Sequence, residues 1–232
     1  MPPRVDLTQG NLTLALLRLA GPMTIGIFSV FMFNLADTLF VSRLGTQQLA
    51  AMSFTFPVAM VLMGVSFALS TGTASVVSRA IGRGDETMVK RLASDSLSLS
   101  FLTVTLVTVA GMLTIDPLFT ALGAGPDVLP LIRDYMLIWY PGVACLVIPI
   151  VANASIRAGG DTKFPATMMV GAMLTNLALD PIFIFGWFGV PRMELQGAAV
   201  ATIIARALTM VASLAILHFR DRLLDFRTPS LS

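Results

Sequence analysis

Long apolar segments alternate with short polar breaks along almost the whole chain of 232 residues. The apolar segments reach about 20 residues or more, which is the length that a helix needs to cross a lipid bilayer. This pattern predicts an all-α membrane protein, built as a bundle of six transmembrane helices. The predicted spans are residues 12–42, 50–79, 88–114, 131–157, 164–188 and 196–218.

The composition supports the same class of protein. Hydrophobic residues make up 56% of the chain and charged residues only 12%, whereas a soluble domain carries far more charge on its surface. The net charge of +2 is too small to suggest a nucleic-acid partner. The one cysteine, Cys145, lies within an apolar span, so the sequence predicts neither a disulfide framework nor a metal cluster.

The lysines and arginines predict how the helices are oriented in the membrane. We expect a multi-pass protein of the cell (inner) membrane with both termini cytoplasmic, because this orientation puts eleven cations inside and three outside. Residues 1–11 then form a cytoplasmic segment, 12–218 the transmembrane lobe and 219–232 a cytoplasmic tail. The inner cations are Arg4, Arg18, Arg79, Arg83, Lys90, Arg91, Arg157, Lys163, Arg220, Arg222 and Arg227; the outer ones are Arg43, Arg133 and Arg192.

Two of the predicted cytoplasmic turns, at residues 79–85 and 157–161, share one pattern. Each has an arginine near the end of a helix, then glycine, then an aspartate (Asp85 or Asp161) that can cap the next helix. The glycines follow a helix rather than a strand, so the pattern indicates tight helical hairpins and not phosphate-binding loops.

Aromatic residues near the outer ends of the spans indicate an interfacial belt, in which amphipathic rings lie at the level of the lipid headgroups. These residues are Tyr135, Trp139, Tyr140 and Trp187.

Two aspartates, Asp37 in the first span and Asp180 in the fifth, lie inside apolar segments. The two spans run in the same direction, so both carboxyl groups should lie at a similar depth in the outer half of the membrane. An acidic group at that depth is costly unless it is paired, hydrated or neutral, which makes both aspartates candidate functional residues. A purely structural role, such as holding a hydrogen bond, is the alternative.

Neighbouring polar residues extend this candidate site. Asn176 is four residues before Asp180 and therefore shares its helix face, and Thr202 is the first hydroxyl residue of the sixth span. Carboxylate, amide and hydroxyl oxygens are the ligands that hard cations such as sodium prefer. The same carboxyl groups can carry protons, because burial and a second nearby carboxylate both favour the neutral form. The sequence predicts a site at which protons and sodium ions compete.

A third charged group, Arg206, lies near the middle of the sixth span and requires compensation. Asp95 in the third span lies at a comparable depth, so we predict a structural ion pair between Asp95 and Arg206. In the alternative, Asp95 faces the hydrated inner mouth and the arginine side chain extends towards the interface.

Five ordered blocks resemble the multidrug and toxic compound extrusion transporters, in particular their prokaryotic branch. They are NLADTLFV at 34–41, SRAIGRGD at 78–85, RAGGDT at 157–162, NLALDP at 176–181 and GAAVAT at 197–202. The resemblance runs over residues 19–217 and implies a proton- or sodium-coupled antiporter that exports drugs or amphipathic organic compounds. By this resemblance the coupling residues are Asp37, Asn176, Asp180 and Thr202, with Asn153 and Tyr135 in a supporting network.

Transporters of this family have twelve spans in two lobes, so the resemblance implies that this chain is the amino-terminal lobe. A second six-helix lobe would be its partner, either as a covalent continuation or as a second copy, and 219–232 could begin a linker between them. Membrane lipids and small organic substrates are the other expected partners, and no cofactor is expected beyond the coupling ion.

Other classes of protein remain as alternatives. A lipid or metabolite flippase would share the fold, and a non-transporting assembly subunit or truncated lobe would share the length. An intramembrane aspartyl protease is disfavoured, because the only Gly-Gly-Asp motif, at residues 159–161, lies in a turn. A channel is also disfavoured, because the chain has no sequence typical of a carbonyl filter. The chain is therefore not expected to be an enzyme.

Overall fold

The computed structural model describes residues 12–221, which form six long helices with no strand among them. Each helix is long and apolar enough to cross a membrane, so the chain is a multi-pass membrane protein, as predicted. The predicted segment 1–11 and residues 222–232 of the predicted tail lie outside the described residues. The helices are α1 (Leu12–Ser42), α2 (Thr46–Gly82), α3 (Glu86–Ala121), α4 (Leu129–Ala158), α5 (Lys163–Phe185) and α6 (Glu194–Ala215).

The turns at residues 83–85 and 159–161 have the predicted capping geometry. Gly84 and Gly160 adopt positive φ values of 74° and 93°, which a residue with a side chain rarely adopts. The Asp85 side chain accepts a hydrogen bond from the Met88 backbone nitrogen at 2.9 Å. Asp161 accepts from the backbone nitrogens of Lys163 and Phe164 at 3.0 and 3.1 Å. These contacts satisfy the first amide groups of α3 and α5, and each forces a sharp reversal of the chain.

The carboxyl-terminal end of α5 comes earlier than the pattern of apolar residues predicts. The predicted span ran to residue 188, but the helix ends at Phe185 because Gly186 has a left-handed conformation with φ of 79°. A short 3₁₀ turn at Trp187–Gly189 follows. At the other end of the chain, α6 continues into a wider helical turn at Ile216–Arg220.

Helix α4 is the centre of the packing. It lies against α2, α3 and α6, whereas α1 packs on α5 and α5 packs on α6. The α5–α6 contact is close because Gly197 meets the backbone of Phe183: an added Cβ at Gly197 would lie 2.5 Å from its carbonyl. This arrangement brings one face each of α1, α5 and α6 together, and Tyr135 of α4 lies beside them.

The predicted aromatic belt is wrong for two of its four members. Tyr135 and Tyr140 are buried in the bundle rather than placed at its surface. The ring of Tyr140 lies directly over Gly111 of α3, where a Cβ would overlap it. Trp187 is exposed, as an interfacial residue would be. The position of a residue along α4 did not show whether its side chain faces the interior of the bundle or its surface.

Candidate functional site

Asn176 connects two helices at the centre of the site. It lies one turn before Asp180 on the buried face of α5, and both side chains are inaccessible to solvent. Its amide nitrogen donates a hydrogen bond to Asp180 Oδ1 at 3.0 Å and a longer one to Thr202 Oγ1 of α6 at 3.4 Å. The structure therefore brings together the three residues that the sequence predicts on α5 and α6.

Asp37 reaches the same region from α1. Its side chain is buried, with 6% of its surface exposed, and its charge lies close enough to act on that of Asp180. Both charges also act on the Tyr135 hydroxyl of α4. Four helices thus contribute polar groups to one place inside the apolar bundle. Membership of Tyr135 in a supporting hydrogen-bond network stays a prediction.

Three buried oxygen atoms of this cluster have no hydrogen-bond donor among residues 12–221: Asp37 Oδ1, Asp180 Oδ2 and Asn176 Oδ1. A buried acceptor without a donor is costly, so such atoms in a folded protein have a reason to be there. None of the ion pairs among the described residues includes Asp37 or Asp180. The geometry and the oxygen chemistry both fit a bound hard cation or protons on the carboxyl groups.

The donor set limits which cation could bind. Among residues 12–221, no three His, Cys, Asp or Glu side chains come together in a way that would hold a metal ion. Any ion at this site would therefore depend on two carboxylates and on neutral amide and hydroxyl oxygens. Such a set is typical of alkali cations rather than transition metals.

The predicted ion pair between Asp95 and Arg206 is absent from the structure. Asp95 lies 3.8 Å from Arg91, one turn before it on α3. The guanidinium carbon of Arg206 lies 4.7 Å from the centre of the Phe33 ring of α1. The prediction failed because α3 packs on α2 and α4, whereas α6 packs on α4 and α5. Equal depth in the membrane did not make the two residues neighbours.

Asn153 does not join the cluster. Its side-chain oxygen accepts a hydrogen bond from Ser213 Oγ of α6 at 3.2 Å. Ser213 is eleven residues after Thr202, which is about 16 Å further along the helix. Asn153 instead connects α4 to α6 near the carboxyl-terminal end of α6. The resemblance predicted that Asn153 joins the supporting network. The hydrogen bond of its side chain to Ser213 gives that prediction no support.

Phe33 was missed by the sequence reasoning. It is buried on α1, one turn before Asp37, and contacts Arg206. Its spacing of four residues from Asp37 was the available signal, because residues i and i+4 share a helix face. An isolated phenylalanine in an apolar span gives no reason to choose it over its neighbours.

Comparison with known proteins identifies the family. The family model described as MatE matches residues 22–182. A FAD transporter from Shewanella oneidensis is 40% identical over 97% of this chain and 50% of its own length. A probable multidrug resistance protein NorM from Thermotoga maritima is 30% identical over 75% of this chain and 38% of its own.

A solved structure agrees with the fold. A MOP superfamily transporter from Pyrococcus furiosus is 32% identical, with a TM-score of 0.88, over 100% of this chain and 51% of the other. The chain spans about half the length of the curated relatives that it matches most fully. The family model covers more than half of the chain, so this protein belongs to the MatE family of membrane transporters.

Proposed function

We propose that this chain is the cation-coupling lobe of an antiporter that exports small organic compounds in exchange for protons or sodium ions. The observation that carries the proposal is the buried cluster of Asp37, Asn176, Asp180 and Thr202, with three acceptor oxygens that have no donor among residues 12–221. Buried carboxylates without an ionic partner fit a site that gains and loses a cation, rather than a permanent structural contact.

Each residue of the cluster has a distinct role in this proposal. Asp37 and Asp180 carry the negative charge that attracts the coupling cation. Asn176 orients the Asp180 carboxylate through its amide nitrogen and leaves its own oxygen as a further ligand. Thr202 supplies a hydroxyl from α6, so cation binding at this site joins α5 to α6. A gain or loss of charge between α1 and α5 would then bias how these helices pack.

Exchange across the membrane also requires a second lobe. Alternating access in such transporters comes from the movement of one bundle against another around a central site. The relatives are about twice as long as this chain, which supports a second six-helix lobe as covalent continuation or as second copy. The excess of cations on one side supports a lobe in the cell membrane with both ends cytoplasmic.

Two substrate classes have support. Relatives described as probable multidrug resistance proteins favour amphipathic drugs. The 40% identity with a FAD transporter favours a second candidate, the export of a flavin dinucleotide, which is anionic and carries phosphate groups.

Replacement of each carboxylate tests the proposal. In the natural full-length protein that contains this lobe, we expect Asp37→Asn and Asp180→Asn to abolish substrate efflux driven by a proton or sodium gradient. The amide keeps the size of the side chain but removes the charge that binds the cation. Asp95→Asn is the matched control, because Asp95 is an aspartate on α3 that pairs with Arg91 away from the cluster.

Efflux would be measured in proteoliposomes with an imposed gradient, after a check that each variant inserts in the membrane at the wild-type level. Retained gradient-driven efflux in both carboxylate variants would overturn the assignment of the site. A non-transporting assembly subunit would give no efflux in the wild-type protein either.

A further inference from the structure

Arg206 lies directly inward of the cation site. It follows Thr202 by four residues on α6, and the residue it contacts, Phe33, precedes Asp37 by four residues on α1. Helix α1 runs outward in the proposed orientation and α6 runs inward, so both steps lead towards the cytoplasm. The contact region between α1 and α6 thus has an outer layer with the oxygens of the proposed cation site and an inner layer with one guanidinium.

This guanidinium has no fixed counter-charge among the described residues. Arg206 Nε is buried without a hydrogen-bond acceptor, and none of the ion pairs within residues 12–221 includes Arg206. The side chain as a whole is only partly buried. The π face of the Phe33 ring attracts the guanidinium of Arg206, but the ring provides no charge and no conventional hydrogen-bond acceptor. A guanidinium at this depth normally requires compensation.

We propose that Arg206 binds an anionic, phosphate-bearing group of the transported compound. Guanidinium presents a planar set of donors that matches phosphate oxygens in pairs. Phe33 supports this role, because a ring on one face of the guanidinium holds its plane without using any of its donors. A cationic drug would instead be repelled at this position, so Arg206 would select for anionic compounds.

The inference rests on the proposed function, since it names the substrate class of the same transporter. It also assigns separate places to the two transported species. The coupling cation binds at the carboxylates, and the anionic group of the substrate binds one helical turn further inward.

The test compares FAD with riboflavin, two probes with the same ring system that differ in their phosphate groups. Binding to the detergent-purified natural protein would be followed by flavin fluorescence for the wild type, Arg206→Gln and Arg206→Lys. We expect Arg206→Gln to lower the ratio of FAD affinity to riboflavin affinity by about tenfold or more, because it loses a charged hydrogen bond. Arg206→Lys should recover part of the ratio, since it keeps the charge without the planar donors. Arg133→Gln is the matched control, because Arg133 of α4 pairs with Asp116 of α3 rather than with a residue of α1 or α6.

An unchanged affinity ratio in Arg206→Gln would overturn the inference, as would wild-type protein that does not prefer FAD to riboflavin. An equal loss of both affinities would also overturn it, because Arg206 would then act through the fold. Binding in detergent needs no cation gradient, so these outcomes are independent of the cation coupling. Loss or retention of efflux in Asp37→Asn reports on the proposed function separately.

Discussion

Asn176 organises the candidate site, because its single amide nitrogen serves two acceptors on different helices. The bond to Asp180 at 3.0 Å stays within α5, whereas the longer contact with Thr202 at 3.4 Å crosses to α6. The weaker of the two contacts is therefore the one that joins the helices. In the proposed mechanism, this contact changes with the charge at Asp180, and α5 itself stays intact.

Removal of the Thr202 hydroxyl tests this interhelical contact. Thr202→Val keeps the β-branched shape and removes the hydroxyl, and a hydrogen bond of this kind contributes about 0.5–1.5 kcal/mol in proteins. We expect the apparent affinity for the coupling cation to fall by about 2- to 10-fold while transport persists. The measurement is the dependence of the efflux rate on proton or sodium concentration.

Thr209→Val is the control for this substitution. Thr209 is on the same helix, and its hydroxyl donates to the carbonyl of Ala205 within α6. The two variants should therefore differ in cation affinity. Equal affinities in both would show that the Thr202 hydroxyl takes no part in the site.

The sequence predicts the core of the site well, for a physical reason. A carboxylate in an apolar span is conspicuous because its burial is costly, and the four-residue spacing of Asn176 and Asp180 fixes their common face. The positions of Asn153 and Arg206 were not predictable in the same way. Depth along a helix is readable from sequence, but the neighbour that each face meets depends on how the helices pack.

At the scale of the elements, the α5–α6 contact depends on Gly197. The backbone of Phe183 lies so close that a Cβ at position 197 would overlap it, and backbone cannot move aside as a flexible side chain can. Small residues at helix interfaces allow this approach in membranes. The contact also holds Asn176 and Thr202 within reach of one another.

We therefore expect Gly197→Ala to destabilise the protein by about 1–3 kcal/mol, the usual range for an overpacked contact. Gly171→Ala on α5 is the control, because a Cβ there meets nothing within 4 Å. Thermal unfolding of both variants in the same detergent measures the difference. A Gly197→Ala protein as stable as Gly171→Ala would contradict the close contact.

All six helices could be predicted from the apolar pattern, and the capping aspartates Asp85 and Asp161 predicted two of the turns between them. The ends of the helices were harder to predict from the sequence where local backbone geometry determines them. The predicted fifth span continued through apolar residues to 188, but left-handed Gly186 ends α5 earlier. The predicted third span, 88–114, was also shorter than α3 at both ends. The helix runs from Glu86 to Ala121 and continues through Pro117.

At the scale of the whole molecule, this chain contains all the residues of the proposed cation site but matches only half the length of its relatives. We expect the lobe to bind a cation by itself, whereas movement of a substrate across the membrane needs the proposed second bundle. Many large apolar side chains are exposed on the surface of the helix bundle, such as Leu106 and Leu113 of α3. These surfaces suit contact with lipid or with a second lobe.

The most direct test of cation coupling is the movement of cations against substrate in proteoliposomes of the natural full-length protein. Ethidium or FAD would be supplied on one side, with dyes that report pH or sodium concentration on the other. The account predicts that substrate flux drives an opposite flux of protons or sodium ions in the wild type and in Asp95→Asn. The same cation flux should be lost in Asp37→Asn and Asp180→Asn. Substrate flux without any cation flux in the wild type, or cation flux that persists in both carboxylate variants, would contradict it.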